Sequence, residues 1–374
     1  MNLHHKLSGA FLIISVICLA LLAACRKDQP LRVGFVAGLS GRVADLGIGG
    51  RNGAMLAIEQ RNAAGGVNGR QVELLVRDDE QKPESAKRAV AELLAAKVEV
   101  IIGPMTSSMA MAVVPQANEA KVFMVSPTVT TQDLSGKDDY FYRVIASTRE
   151  YAEKNARYSY GKLGHRTVAV IYDKDNSSYT EGWLGDFRRV YEQMGGRILA
   201  LESFRSSEEG PFLPMVRRLV ATGPEFILII ANAADSAQIC QQIRKVDGKM
   251  PISMAEWGST ERFIELGGAS VEGVVVAQFL DRANITPRYR EFLRAYRQRF
   301  SQEPGFAGVA GYDAALLVMA AMEKRAGGQT LKEAVQTIDE FEGVQQRVKL
   351  DKFGDSNRNT FIATVRDGRF VTLE

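Results

Sequence analysis

The sequence predicts an α/β protein of two lobes, each a mainly parallel sheet flanked by helices. Short apolar runs alternate with amphipathic stretches from Arg32 onward. Such alternation marks βαβ units and a parallel sheet covered on both faces. The pattern breaks near Ser147-Thr148 and then begins again. The chain has 374 residues, beyond the ~250–300 at which a single core stops growing, so a second lobe is expected.

In the first run, Arg32–Leu39 reads as a strand, Gly50–Ala64 as a helix closed by Gly65-Gly66, and Val72–Val76 as the next strand. Helix Glu84–Ala96, strand Val98–Gly103, helix Met109–Ala120 and strand Val122–Ser126 follow, as short apolar runs alternate with helical periodicity. The second run opens with helix Tyr151–Leu163 and strand Thr167–Tyr172. It continues through helix Gly182–Met194, strand Arg197–Phe204, helix Pro211–Ala221 and strand Phe226–Ala231. Helix Asp235–Val246 and strands Ile252–Ala255 and Gly273–Phe279 complete it. Three helices in a row then break the alternation: Pro287–Phe300, Gly308–Ala326 and Thr330–Ile338. Strands Gln346–Leu350, Thr360–Arg366 and Arg369–Leu373 end the chain, the last two joined by the hairpin dipeptide Asp367-Gly368. Helices completing one lobe and strands the other would give a first lobe of 31–147 plus 280–344 and a second of 148–279 plus 345–374. The chain would then cross between them near 147, 280 and 345, with no low-complexity linker.

The first twenty-five residues read as an export signal. A weakly basic start, an uncharged run from Leu7 to Ala24 and small residues precede the return of charge at Arg26-Lys27-Asp28. Leu22-Ala23-Ala24-Cys25 resembles the bacterial lipobox, in which the cysteine is lipidated and becomes the first residue of the mature chain. The alternative is an uncleaved membrane anchor. Both place the remainder outside the cytoplasm, tethered to a membrane, with residues 1–24 as the lipoprotein signal in the first reading.

Composition excludes several classes. Net charge is +3, and basic residues are interleaved with acids, as at Glu84-Ser85-Ala86-Lys87-Arg88. A near-neutral chain argues against nucleic acid as a partner. Beyond the signal only Cys240 and His165 remain of their kinds. Histidine-based triads and Cys/His zinc sites therefore lose their residues, and no metal, cofactor or catalytic activity is expected. Cys240, between Ile239 and Ile243, reads as a packing thiol. The cluster Gly47-Ile48-Gly49-Gly50-Arg51-Asn52-Gly53 is not GxGxxG, because Asn52 holds the third glycine position. Its glycines read instead as permitting close packing.

Ile101-Ile102-Gly103-Pro104-Met105-Thr106-Ser107-Ser108 puts hydroxyls and backbone N–H groups after a buried strand at a helix start. That arrangement suits a carboxylate, because donors converge and the helix dipole favours an anion. Ser126-Pro127-Thr128-Val129-Thr130-Thr131 repeats it after the next strand. Capping and turn chemistry explains either patch alone. Two at successive strand C-termini suggest one ligand site, since open α/β sheets bind there.

With these pieces in order the chain resembles the extracytoplasmic solute-binding proteins of the leucine/isoleucine/valine type that serve ABC importers. The resemblance runs through Val33-Gly34-Phe35, Leu39-Ser40-Gly41, Ala57-Ile58-Glu59, Asn62 to Gly69, Asp78-Asp79, Ile102-Gly103-Pro104, Ser126-Pro127, Tyr142-Arg143 and Tyr179-Thr180-Glu181-Gly182. It implies a type I periplasmic-binding fold with three hinge crossings that closes on a small molecule without chemistry. It further implies that Ser107 holds a ligand α-carboxylate, that Thr128 and Thr130 share the carboxylate and ammonium, that Glu256 neutralises the ammonium, and that Tyr179 caps the site. Leu46, Met105, Asn232 and Tyr312 fall where the family lines the side-chain space. Leu46 and Asn232 replace tyrosines common there, and Asn232 either offers an amide to a polar ligand or caps the following helix. Gln81 and Thr106 occupy the positions of a disulfide found in some relatives.

The implied function is membrane-anchored capture of an apolar or branched-chain α-amino acid and its delivery to ABC permease subunits. An aromatic acid, amide or urea is the alternative ligand, and a sensor feeding a receptor the alternative role. Glu256 discriminates the ligands, because one without an ammonium leaves that carboxylate unpaired.

Overall fold

The computed structural model describes residues 29–208 and 210–374. The leader and Cys25 lie outside the described residues. The first lobe is built on a five-stranded sheet in the order β2-β1-β3-β4-β5. Its strands are β1 (Leu31–Ala37), β2 (Val72–Asp78), β3 (Val100–Ile102), β4 (Phe123–Ser126) and β5 (Phe141–Arg143). All its pairings are parallel. Helices α1 (Ala44–Ala63), α2 (Pro83–Ala95) and α3 (Ser107–Ala120) cover it. β3 and β4 are buried along their whole length, as a sheet covered on both faces requires. The run Phe141–Arg143, not expected as a strand, adds the edge by pairing with β4.

The second lobe carries seven strands in the order β15-β14-β10-β9-β8-β6-β7. Its parallel part comprises β6 (Thr167–Asp173), β7 (Arg197–Phe204), β8 (Phe226–Ile230), β9 (Ile252–Met254) and β10 (Val275–Gln278). Helices α4 (Thr148–Arg157), α5 (Ser177–Gln193), α6 (Phe212–Ala221), α7 (Ala233–Val246) and α8 (Glu261–Gly267) flank it. The expected helix Tyr151–Leu163 begins earlier, and its last turn, Tyr158–Lys162, widens to π geometry.

The tail divides between the lobes. Helices α9 (Pro287–Phe300), α10 (Gly305–Lys324) and α11 (Leu331–Val335) return to the first lobe, where α10 lies along α1. β14 (Phe361–Arg366) and β15 (Arg369–Thr372) join the second sheet antiparallel, beside β10. The assignment of 345–374 as a block to the second lobe is corrected for its first part. β11 (Glu340–Glu342), β12 (Arg347–Leu350) and β13 (Ser356–Asn357) form a separate antiparallel sheet. That sheet stays with the first lobe: Arg143 N–H donates to the Gly354 carbonyl at 3.0 Å and the Arg143 guanidinium pairs with Asp355 at 2.6 Å. The third crossing therefore falls after β13, not near 345, because the local hairpin binds the buried Arg143 before the chain leaves.

The glycine cluster is packing. A Cβ on Gly53 would stand 2.0 Å from the Gly308 carbonyl oxygen, and one on Gly311 would stand 2.1 Å from that of Gly50. Backbone-to-backbone contact between α1 and α10 thus excludes any side chain. α10 is apolar enough in length and composition to cross a membrane, but 83% of its most apolar window is buried against the protein. It is a core helix. Cys240 is wholly buried, which pushes its thiol up to about 12 and leaves it unionised.

Candidate functional site

Strand C-termini of both lobes face one cavity. It is lined by Leu46, Met105, Thr106, Ser107, Thr128 and Thr130 from the first lobe, with Ile145 from the first crossing. Asn176, Tyr179, Glu256 and Trp257 come from the second lobe, and Phe306 from the start of α10. The cavity between these walls is small, about 20 Å³. That is far below the ~300–1,000 Å³ of occupied small-molecule sites, so the two walls stand closed on each other and must part for a ligand to enter.

The first lobe supplies donors. α3 begins at Ser107 after the N-cap residue Thr106, whose own side chain does not cap it. Thr106 Oγ1 turns away and donates to Gln81 Oε1 at 3.0 Å. The positive end of the helix is left to groups from outside the loop: Asn176 takes the Ser108 N–H, and the dipole there still favours an anion. Ser107 Oγ accepts the Thr131 N–H at 3.3 Å, which ties the two hydroxyl loops together and leaves the Ser107 O–H to donate. Thr130 Oγ1 is buried without a partner. Thr128 also lines the cavity, but its hydroxyl donates to the Met105 carbonyl at 2.6 Å. That proton is committed to the loop, so Thr128 presents no O–H donor to the site.

The second lobe supplies the acid. Glu256 follows β9 and is buried. Trp183 Nε1 donates to its Oε2 at 2.9 Å, while Oε1 is buried without a partner. Loss of water pushes the Glu256 carboxyl up to about 7. Tyr179, on the first turns of α5, packs edge-on against Trp257 with ring centroids 5.6 Å apart. Across the cleft Asn176 Oδ1 accepts the Ser108 N–H at 3.0 Å. Asn176 precedes α5 but does not cap it with its side chain.

Two residues expected in the side-chain space are elsewhere. Asn232 is the N-cap of α7: its Oδ1 accepts the Asp235 N–H at 3.0 Å, and its Nδ2 donates to Asp235 Oδ2 at 2.6 Å. Helix capping wins because those orphan donors sit within its reach. Tyr312 lies about 1.7 turns beyond Phe306 on the same helix, and that offset turns it to another face. Its hydroxyl donates to Gln60 at 2.6 Å and its ring packs on Phe292 at 5.0 Å. Ile145, Asn176, Trp257 and Phe306 line the cavity without having been anticipated. Asn176, at the end of Asp175-Asn176 before a helix, carried a readable cap signature. Ile145 and Phe306 carried none, being apolar residues among many.

A profile of the family described as periplasmic binding protein matches residues 30–369. The Leu/Ile/Val-binding protein homolog 3 of Brucella melitensis is 23% identical over 349 residues, 92% of this chain and 94% of its own length. The substrate-binding protein LivJ of Streptococcus pneumoniae, solved in complex with isoleucine, superposes with a TM-score of 0.85 at 24% identity, covering 92% of this chain and 99% of its own. A solute-binding protein of R. palustris, solved with benzoate, gives 0.84 at 18% identity, covering 92% of this chain and 96% of its own. A profile spanning nearly all the described residues and a shared two-lobed fold leave one conclusion: the chain belongs to the periplasmic binding protein family, extracytoplasmic binding proteins and not enzymes.

Proposed function

We propose that this protein captures a small apolar α-amino acid between its lobes and delivers it to an ABC permease, held to the membrane by a lipid on Cys25. One observation carries the ligand reading. Two buried polar atoms without partners, Thr130 Oγ1 and Glu256 Oε1, belong to opposite walls of one cavity. A buried unsatisfied group costs about 1–3 kcal/mol, more if charged, and an α-amino acid satisfies both at once. Its carboxylate meets Ser107, Thr130 and the positive end of α3, and its ammonium meets Glu256. Leu46, Met105, Ile145, Phe306 and Trp257 are the apolar lining that would meet its side chain, with Tyr179 beside Trp257. Relatives named for leucine, isoleucine and valine agree with that choice.

A second reading is kept for a specific reason. With its carboxyl pushed up to about 7, Glu256 is partly protonated at neutral pH and can donate to an aromatic carboxylate. The R. palustris relative solved with benzoate supports it. A thermal-shift screen with L-leucine, L-isoleucine, L-valine, benzoate and urea decides, because a ligand that binds only the folded protein raises its melting temperature. A shift with the aliphatic amino acids and none with benzoate supports the first reading, and the reverse pattern overturns it. For the anchor, the intact mass of membrane-extracted protein should lack residues 1–24 and carry acyl chains. Retention of Met1 would rule the lipid anchor out.

A further inference from the structure

Asn232 leaves the ligand cavity for a different task. It helps to build a socket in the second lobe into which a side chain of the first lobe is plugged. The socket holds Asp235, whose side chain is 1% exposed. Asn232 Nδ2 donates to Asp235 Oδ2 at 2.6 Å and lies 2.9 Å from Ser206 Oγ. Ser206 Oγ touches Asp235 Oδ2 as well as Asp173 Oδ2, the latter at 2.9 Å. One hydroxyl carries one proton, so it cannot donate to both carboxylates. Two buried acids sharing one hydroxyl form a site that favours a cation.

Arg42 supplies it. It stands in the Gly41–Val43 turn directly after β1, in the first lobe. Its Nε donates to Asp235 Oδ1 at 2.9 Å, and Nη2 reaches the same oxygen and, at 3.2 Å, Gln238 Oε1. Arg42 does not line the ligand cavity. A second cross-lobe contact, the Thr260 hydroxyl on the Asp45 carboxylate, lies one helical turn further along the same segment.

We infer that Arg42 and the Asn232–Ser206–Asp235 socket form an electrostatic latch, a positioning device that sets how firmly the lobes stay shut without touching the ligand. When the lobes part, Asp235 Oδ1 loses the Arg42 guanidinium and keeps only its second-lobe partners. The latch therefore penalises opening and lowers the rate of ligand release. It deepens the capture reading above and depends on it only for the identity of the ligand. The half-exposed arginine, 39% accessible at its side chain, can be replaced without disturbing a core.

The test reads lobe closure directly. Dyes on Lys87→Cys in the first lobe and Arg217→Cys in the second, both exposed positions, report the closed fraction by energy transfer. It is measured with no ligand and then with L-leucine, in wild type and in Arg42→Ala. The latch predicts a ratio of closed to open protein about threefold to tenfold lower in Arg42→Ala under at least one condition, with Arg42→Lys recovering part of it. Added salt should lower the ratio in wild type more than in Arg42→Ala. Equal ratios in wild type and Arg42→Ala under both conditions overturn the latch, as does a wild type that never closes. If L-leucine leaves wild type unmoved while Arg42→Ala still opens it, the ligand reading fails and the latch stands.

Discussion

At the residue scale Glu256 decides most. Its folded carboxyl sits near 7 against an ordinary value of 4.5. Such a raised acid contributes stability that is full below about 4.5 and lost as pH rises through about 7. The shift corresponds to about 3–4 kcal/mol. Ligand-free Glu256→Gln should therefore escape that loss, and chemical unfolding at pH 5 and pH 8 measures it. An ammonium ligand needs the ionised form. Its affinity should rise with pH through about 7 and its binding should release a proton, whereas a carboxylate ligand without ammonium should bind better as pH falls. Calorimetry in two buffers of different ionisation heat reads the sign. Glu256→Gln should weaken an amino acid by several hundredfold or more, from the ~3–5 kcal/mol that follows removal of one partner from a buried pair. Ser107→Ala should cost less, about 1–3 kcal/mol, since the start of α3 still meets the carboxylate. A Glu256→Gln protein that binds L-leucine as wild type does would end the ammonium reading.

At the scale of elements two contacts govern the arrangement. α1 and α10 meet backbone to backbone at Gly53 and Gly311. Gly53→Ala should destabilise by about 1–3 kcal/mol or more, because a methyl at 2.0 Å from a carbonyl forces the helices apart. The second contact joins the crossings. Arg358, which follows β13, is fully buried and pairs with fully buried Asp313 of α10 at 2.6 Å. Its Nη1 donates to the Val144 carbonyl at 3.0 Å, and its guanidinium lies 4.3 Å from the Phe279 ring centre. One side chain thus touches the first crossing and the second from its place on the third. Arg358→Met should cost about 3–5 kcal/mol in urea unfolding by stranding Asp313, and Arg358→Met with Asp313→Leu should recover most of it. No recovery in the double variant would mean that the guanidinium's other contacts dominate.

At the scale of the molecule the walls of the site belong to different lobes, so ligand and latch act on the same equilibrium. Closure is stabilised by contacts made only in the closed state. The radius of gyration from small-angle scattering should fall on saturation with L-leucine, and an unchanged profile at saturation would count against a closing mechanism.

What the sequence determined by itself is the α/β alternation, the two lobes and the first-lobe donors, because these are local. Strand and helix periods, caps and the hydroxyl run after Ile101-Ile102 are written in consecutive residues. Glu256 was legible only through the family resemblance. Its unpaired oxygen and raised carboxyl were not, since both follow from what surrounds it. Tertiary structure alone decided that the β11–β13 hairpin stays with the first lobe, because Arg143 lies far from Asp355 in sequence. It also decided that Tyr312 faces Phe292, and that Ile145 and Phe306 wall the cavity. Asn232 shows the division most plainly. Its chain position allowed either a ligand amide or a cap; Asp235, three residues on, supplied the capped N–H, and Ser206, brought close only by folding, shared the rest of its hydrogen bonding.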